Sequence, residues 1–175
     1  MKPFLIFVLF IFVSQLGFGQ KEEVDTFFSQ FENGFYKDLT KAIFFIVDSI
    51  VDLSEINFKK LYSSDSSLTA DDINFLANSI GKKTRLIWTN QTFNCAKIKS
   101  RKKLQSLQSI VKKTTRNTSI AYFELSLPYF NRAKDVCFIY CSFYCGRLCF
   151  EGCFRLYKKI KGDWTLIDKH GCVVS

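Results

Sequence analysis

Between Ile73 and Phe123 the chain contains no aspartate or glutamate, although eleven lysines and arginines fall in that stretch. Such a segment cannot neutralise its own charge, so it projects a positive field wherever it meets solvent. The imbalance is local: residues 22–72 carry eleven acids against four bases, and residues 124–175 carry five acids against eight bases. The formal net charge of the whole chain is +9. Proline and glycine are also scarce, two and eight in 175 residues, and no low-complexity tract is present. Disorder and long linkers are therefore not expected. A single histidine leaves little scope for imidazole chemistry. There is no HExxH, no G-x-S-x-G and no glycine-rich phosphate loop. No catalytic, cofactor or metal site is expected from motifs. Beyond residue 19 the strongest apolar run, Ala42 to Val47, stops at Asp48, far short of the roughly 20 residues a spanning helix needs.

The first residues read as an export signal. Lys2 supplies a positive start, Phe4 to Val13 is unbroken apolar sequence, and Gly17-Phe18-Gly19 offers a small-x-small cleavage site. The rival reading, a retained anchor, is opposed by Ser14 and Gln15, which interrupt the run. The expected division is a signal peptide over 1–19 and a single domain over 20–175, secreted or periplasmic, with no transmembrane anchor after cleavage. Fifteen of the twenty phenylalanines lie beyond residue 19 and supply a large core.

Periodicity orders the elements. Val24, Phe27, Phe28 and Phe31 lie on one helical face, with Asn33-Gly34 as a stop. Residues 38–60 read as partly helical, which would place Asp48 and Asp52 on a solvated helix face. Ser63 to Ser67 reads as a loop. Thr69-Ala70-Asp71-Asp72 resembles a capping box, and Ile73, Leu76, Ala77 and Ile80 form a stripe, so a helix is expected over 70–80. Gly81 suits its end. Arg85–Trp88 and Thr92–Ile98 suggest strands. Leu104, Leu107, Ile110 and Val111 predict a helix within 100–114. Strand character then dominates: 120–127, a break at Pro128, 136–144, 153–160 and 164–168, with 171–175 continuing the last strand. The expected fold is α+β, with N-terminal helices packed on a C-terminal antiparallel β-sheet.

Pro128-Tyr129-Phe130, Cys145-Gly146-Arg147-Leu148-Cys149 with Gly152, Lys159-x-Lys-Gly-Asp-Trp164 and the closing Val174-Ser175 carry a resemblance. This part of the chain, residues 123–175, resembles a group of small exported, uncharacterised proteins of Bacteroidetes-type bacteria. They share PxF, CGxLCxxG and K-x-NG-x-W patterns. The resemblance implies export and terminal β-hairpins and supplies no activity. Cysteines 137, 141, 153 and 172 are additions to the pattern.

Cysteines 137, 141, 145, 149 and 153 recur every four residues, with Cys95 and Cys172 outside the run. Zinc ligands favour a two-residue gap within a pair, and thiol redox sites favour Cys-x-x-Cys. Neither spacing occurs here, so structural disulfides in an oxidising compartment are the favoured reading over a metal or redox site. If Lys161-Gly162-Asp163 forms a three-residue turn, Ile160 faces Trp164, and counting outward sets Cys153 opposite Gly171, beside Cys172. A Cys153–Cys172 bond follows, with Cys145–Cys149 as a second, small ring. Cys137 and Cys141 would share a strand face with Ile139 and Phe143. Seven is odd, so at least one thiol stays free or pairs between chains.

Two functional readings follow. The first is a non-enzymatic exported domain, engaged in binding or in the envelope. Lys102, Lys103, Lys112, Lys113 and Arg116, with Lys97, Lys99 and Arg101 around them, form its anion-binding candidates. Aromatic interleaving is thin, so an anionic envelope or surface polymer is the expected partner and nucleic acid is not. The plainer account of these lysines is a solvated face. The second reading is a small secreted enzyme built on the cysteine-rich loop and His170, with Cys172 on the same strand face; a histidine beside Lys169 is otherwise a surface residue. Asn90 and Asn117 begin glycosylation sequons that matter only in a eukaryotic secretory route.

Overall fold

The computed structural model describes residues 22–32, 45–62, 68–80, 88, 93, 96–114, 120–146 and 149–175. The signal segment, the 63–67 loop, Gly81, Cys95 and Arg116 lie outside these residues. So do residues 85–87 of the first expected strand.

Helix α1 covers 22–32, and Phe27, Phe28 and Phe31 of the expected stripe are buried, with Val24 half-buried and Glu32 buried beside them. Strand β1, Phe45–Val47, follows, then the short helix α2, Phe58–Tyr62. Helix α3 is Ala70–Ile80, β2 is Lys97–Lys99 and α4 is Arg101–Thr114. The remaining strands are β3 Tyr122–Leu125, β4 Tyr129–Phe130, β5 Val136–Gly146, β6 Cys149–Ile160 and β7 Asp163–Val174. They form one seven-stranded sheet in the order β2-β1-β3-β5-β6-β7, with β4 paired to β5.

The α+β class holds, but two finer expectations do not. The sheet is mixed: β1 runs parallel to both β2 and β3, and the other pairings are antiparallel. The helices are not confined to the N-terminal part. Parallel neighbours need a crossover of a dozen or more residues, usually helical. Helices α2 and α3 lie in the β1–β2 connection, and α4 separates β2 from β3. The partly helical reading of 38–60 fails over Phe45–Val47, and neither Asp48 nor Asp52 sits on a helix. Trp88 and Phe93 are buried but extend no described strand.

Alternation along β5 sorts the core. Cys137, Ile139 and Cys141 point to the face covered by α1, where they join Phe27, Phe28, Phe31, Phe123 and Tyr157. Val136 and Phe138 point to the opposite face and meet Phe58, Tyr62, Leu76 and Ile80. Helices therefore cover both faces of the sheet.

The cap of α3 forms as the sequence implies. Asp72 N–H donates to Thr69 Oγ1 at 3.1 Å, and Thr69 N–H donates to Asp72 Oδ2 at 3.2 Å. Asn131 Nδ2 ties the same carboxylate to the β4–β5 turn at 2.8 Å. Burial works to raise the Asp72 pKa, but the hydrogen bonds from Thr69 and Asn131 and the charge of Lys158 outweigh it, so the carboxyl lies below its ordinary value. A depressed folded pKa adds stability above the unfolded value of about 3.9, and that stability is lost as pH falls through the folded pKa. Thr69→Ala should cost about 1 kcal/mol at neutral pH. Urea midpoints of wild type and Asp72→Asn should differ at pH 7, and the difference should narrow as pH falls below about 3.9. A constant difference would remove Asp72 from the acid response.

Candidate functional site

Of the basic candidates, Lys102 and Lys103 lie with Lys97, Lys99 and Arg101 where β2 passes into α4 at one edge of the sheet. β2 is the edge strand, with Lys97 exposed and Lys99 half-buried. One residue later Ser100 caps α4: its Oγ lies 3.4 Å from the Lys103 nitrogen, and its carbonyl accepts the Leu104 N–H at 3.0 Å. Leu104 is buried, Leu107 and Val111 are half-buried, and Ile110, expected on the same stripe, is 58 % exposed. Lys102 and Lys103 are exposed in the first turn. Lys112 and Lys113 fall in the last turn, about three helical turns further on. Arg101 is tied down by Glu124 at 2.7 Å. That acid sits just beyond the acid-free stretch.

The first turn of α4 holds three cations and no acid. Cations there oppose the helix dipole, at about 0.3–1 kcal/mol each when exposed. The chain thus keeps a local electrostatic conflict on an exposed surface. Conflicts between local preference and structure concentrate at functional sites.

The cysteines form a second centre. Cys145 and Cys149 lie at bridging distance across the β5–β6 turn, with 5.1 Å between Cα atoms. Cys153 and Cys172 lie 4.3 Å apart at Cα and are joined between β6 and β7. The route to that pair differs from the sequence expectation. Lys161 and Gly162 both have positive φ, 54° and 96°, and Ile160 faces Asp163, so the turn has two residues rather than three. An irregularity at Leu156/Tyr157 restores the expected register. A second at Gly152/Phe154, where Gly171 takes φ 56°, advances it by one more residue. Cys172 then lands opposite Cys153 instead of beside it.

That second bulge also separates His170 from Cys172. His170 pairs with Phe154 across the strands and sits edge-on to Tyr62 at 4.5 Å, with its Nε2 against the Asp168 carboxylate. Cys172 is turned to the other face, towards Cys153. The same-face Cys–His pair expected from alternation is not formed, and His170 is half-buried rather than free on the surface.

Cys137 and Cys141 are free thiols, both buried. Burial raises the Cys137 thiol well above its ordinary value, with the Glu23 charge adding to the effect. Burial likewise pushes Cys141 up to about 12, against the opposing pull of Arg155. Sequence reasoning overlooked Arg155, which is only 4 % exposed and bonds Glu151 Oε1 at 3.3 Å. Its signal was parity: residue 155 shares a strand face with Cys153 and Tyr157. Lys169 reaches the same carboxylate oxygen at 3.2 Å. Among the described residues no cluster of three or more His, Cys, Asp or Glu side chains could hold a metal ion.

No family model, curated protein or solved structure matches the chain.

Proposed function

We propose that this chain is an exported, non-enzymatic binding domain whose β2–α4 edge engages an anionic polymer of the cell envelope or surface. The observation that carries this reading is the first turn of α4, with three bases and no acid on an exposed, capped helix. Lysines on an edge strand can serve merely to block edge-to-edge pairing, which would account for Lys97 and Lys99. It would not account for Lys102 and Lys103, which lie on a helix at the unfavourable dipole end. A polyanion laid along α4 removes that conflict and would meet Lys112 and Lys113 at the far end. Export is supported by the leader-like first nineteen residues and by two cysteine pairs at disulfide distance, since disulfides persist in oxidising compartments. The resemblance of residues 123–175 to small exported proteins agrees with this.

Protein recovered from medium or periplasm should begin at Gln20 and bind heparin with steep salt dependence. Replacing Lys102, Lys103, Lys112 and Lys113 by glutamine should make the log–log salt slope shallower by about three, four contacts at about 0.7 each. Elution at an unchanged salt concentration would reduce these lysines to a solvated face.

A further inference from the structure

The cysteines of β5, β6 and β7 form a row that the disulfide pattern alone does not explain. Cys141 is the direct cross-strand partner of Cys153, and Cys153 is bonded to Cys172 on the next strand. The hydrogen-bond phase gives the spacing of this row. Tyr140 uses both of its backbone groups towards Ser126: its N–H donates to Ser126 Oγ at 2.9 Å, and its carbonyl accepts the Ser126 N–H at 3.0 Å. Backbone groups alternate sides along a strand, so those of Cys141 face β6, and Cys141/Cys153 is a hydrogen-bonded pair with Cα atoms about 5.5 Å apart. On the other side, Phe150 and Ser175 exchange both of their hydrogen bonds at 3.0 Å. Three residues along, Cys153/Cys172 is therefore a non-hydrogen-bonded pair, which matches its 4.3 Å separation. Directly opposed residues project to one face. Three sulfur-bearing side chains consequently stand in line across three strands, with the bonded Cys153 in the middle.

We infer that Cys141, Cys153 and Cys172 are a thiol–disulfide exchange relay, in which the buried Cys141 displaces Cys172 from Cys153 and delivers a free thiol to the protein surface. Exchange requires a thiolate to attack one sulfur of a disulfide while the other leaves. The row across the strands supplies that order of atoms. The Cys141 thiolate attacks Cys153 Sγ, the Cys141–Cys153 bond forms, and the Cys153–Cys172 bond breaks with its electron pair on Cys172 Sγ. The proton given up by Cys141 is returned to Cys172. One disulfide and one thiol are present before and after, so no oxidant or reductant is consumed.

The surroundings favour slow, directional release. Cys141 and Cys153 are fully buried, whereas Cys172 belongs to the exposed end of the edge strand. Arg155 and Lys169 are paired across β6 and β7 near this row and both bind the Glu151 carboxylate, which lies 3.6 Å from Cys153 Sγ. The Cys141 thiol, pushed up to about 12 by burial, is protonated at neutral pH, which preserves the Cys153–Cys172 bond at rest. Cys137 lies four residues from Cys141 on the same strand, roughly 13 Å away, and takes no part.

The test uses the full chain, kept oxidised and mapped by non-reducing peptide mass spectrometry. Cys172→Ser removes the surface partner and should leave a Cys141–Cys153 bond. In the wild-type protein a water-soluble maleimide should slowly accumulate on Cys172 with Cys141–Cys153 formed in the same molecules. Cys141→Ser should slow that labelling at least tenfold, and Cys137→Ser should not. Finding Cys153 free, or joined to any other cysteine, in Cys172→Ser overturns the relay. So does Cys172 labelling at the wild-type rate in Cys141→Ser. Should Cys141→Ser fail to fold, the Cys172→Ser map still decides.

Discussion

Cys153→Ser should lower the unfolding free energy by about 3 kcal/mol, the chain-entropy value for a cross-link enclosing a loop of this length. The bond joins residues 19 apart at the far end of the β6–β7 hairpin. It closes the edge of the sheet where the terminal segment is otherwise held by few side chains: Val173 and Val174 are 60 % and 76 % exposed. Cys172→Ser removes the same bond on paper. With Cys141 directly opposite Cys153, however, that variant can retain a cross-link of similar loop length, so its loss should be distinctly smaller. Denaturant midpoints measured without reductant compare the two, and reductant should bring wild type and Cys153→Ser together. Equal losses for both serine variants would count against the Cys141 partnership. A Cys153→Ser loss below 1 kcal/mol would show that the hairpin needs no staple.

The success of the Cys153–Cys172 expectation rests on two compensating irregularities. Counting from a three-residue turn gave nearly the right pairing, whereas the actual turn is one residue shorter and the two bulges more than restore the difference. Turn length had a cue in Gly162, but a bulge depends on how β6 packs on both neighbours, which no local pattern records. The same bulge defeated the alternation argument that put His170 and Cys172 on one face. The amphipathic helices were readable because each carries its own evidence: Phe27, Phe28 and Phe31 at helical spacing, and the Thr69–Asp72 box before Ile73. β1 and β2 have three residues each, and a short apolar run such as Phe45–Val47 has no period of its own to separate strand from buried helix. Their parallel pairing is a long-range choice. The basic candidates were visible as composition, but their concentration at the β2–α4 edge follows from that same pairing, and so was not.

Phe27→Ala should be the most destabilising single truncation on the α1 side, at about 3–5 kcal/mol. The Phe27 ring is fully buried and meets five aromatic neighbours: Phe28 at 5.4 Å, Phe31 at 5.8 Å, Phe130 at 6.0 Å, Tyr157 at 5.3 Å and Trp164 at 5.6 Å between centroids. Two of these come from α1, and three come from β4, β6 and β7. Alanine would therefore leave a cavity bounded by separate elements, and rigid β-strands cannot collapse into it. The polar ties of α1 are weaker by comparison. Glu23 accepts from Lys159 Nζ at 2.6 Å, and Gln30 accepts the Trp164 N–H at 2.7 Å while its amide reaches Asp163 at 3.5 Å. These ties set where α1 lies along the β6–β7 hairpin, but an ion pair near the surface adds at most about 1 kcal/mol. Glu23→Gln should accordingly cost less than a third of the Phe27→Ala loss. Measured against a total stability of about 5–15 kcal/mol for a domain of ordinary size, Phe27→Ala should bring the protein close to unfolding at 37 °C, with Phe27→Leu intermediate. Urea melts followed by tryptophan fluorescence report on this directly, because Trp164 stands at the edge of the same cavity. A Phe27→Ala loss no larger than that of Glu23→Gln would mean that α1 is held by its polar ties, and that the aromatic cluster on this face is not what fixes it to the sheet.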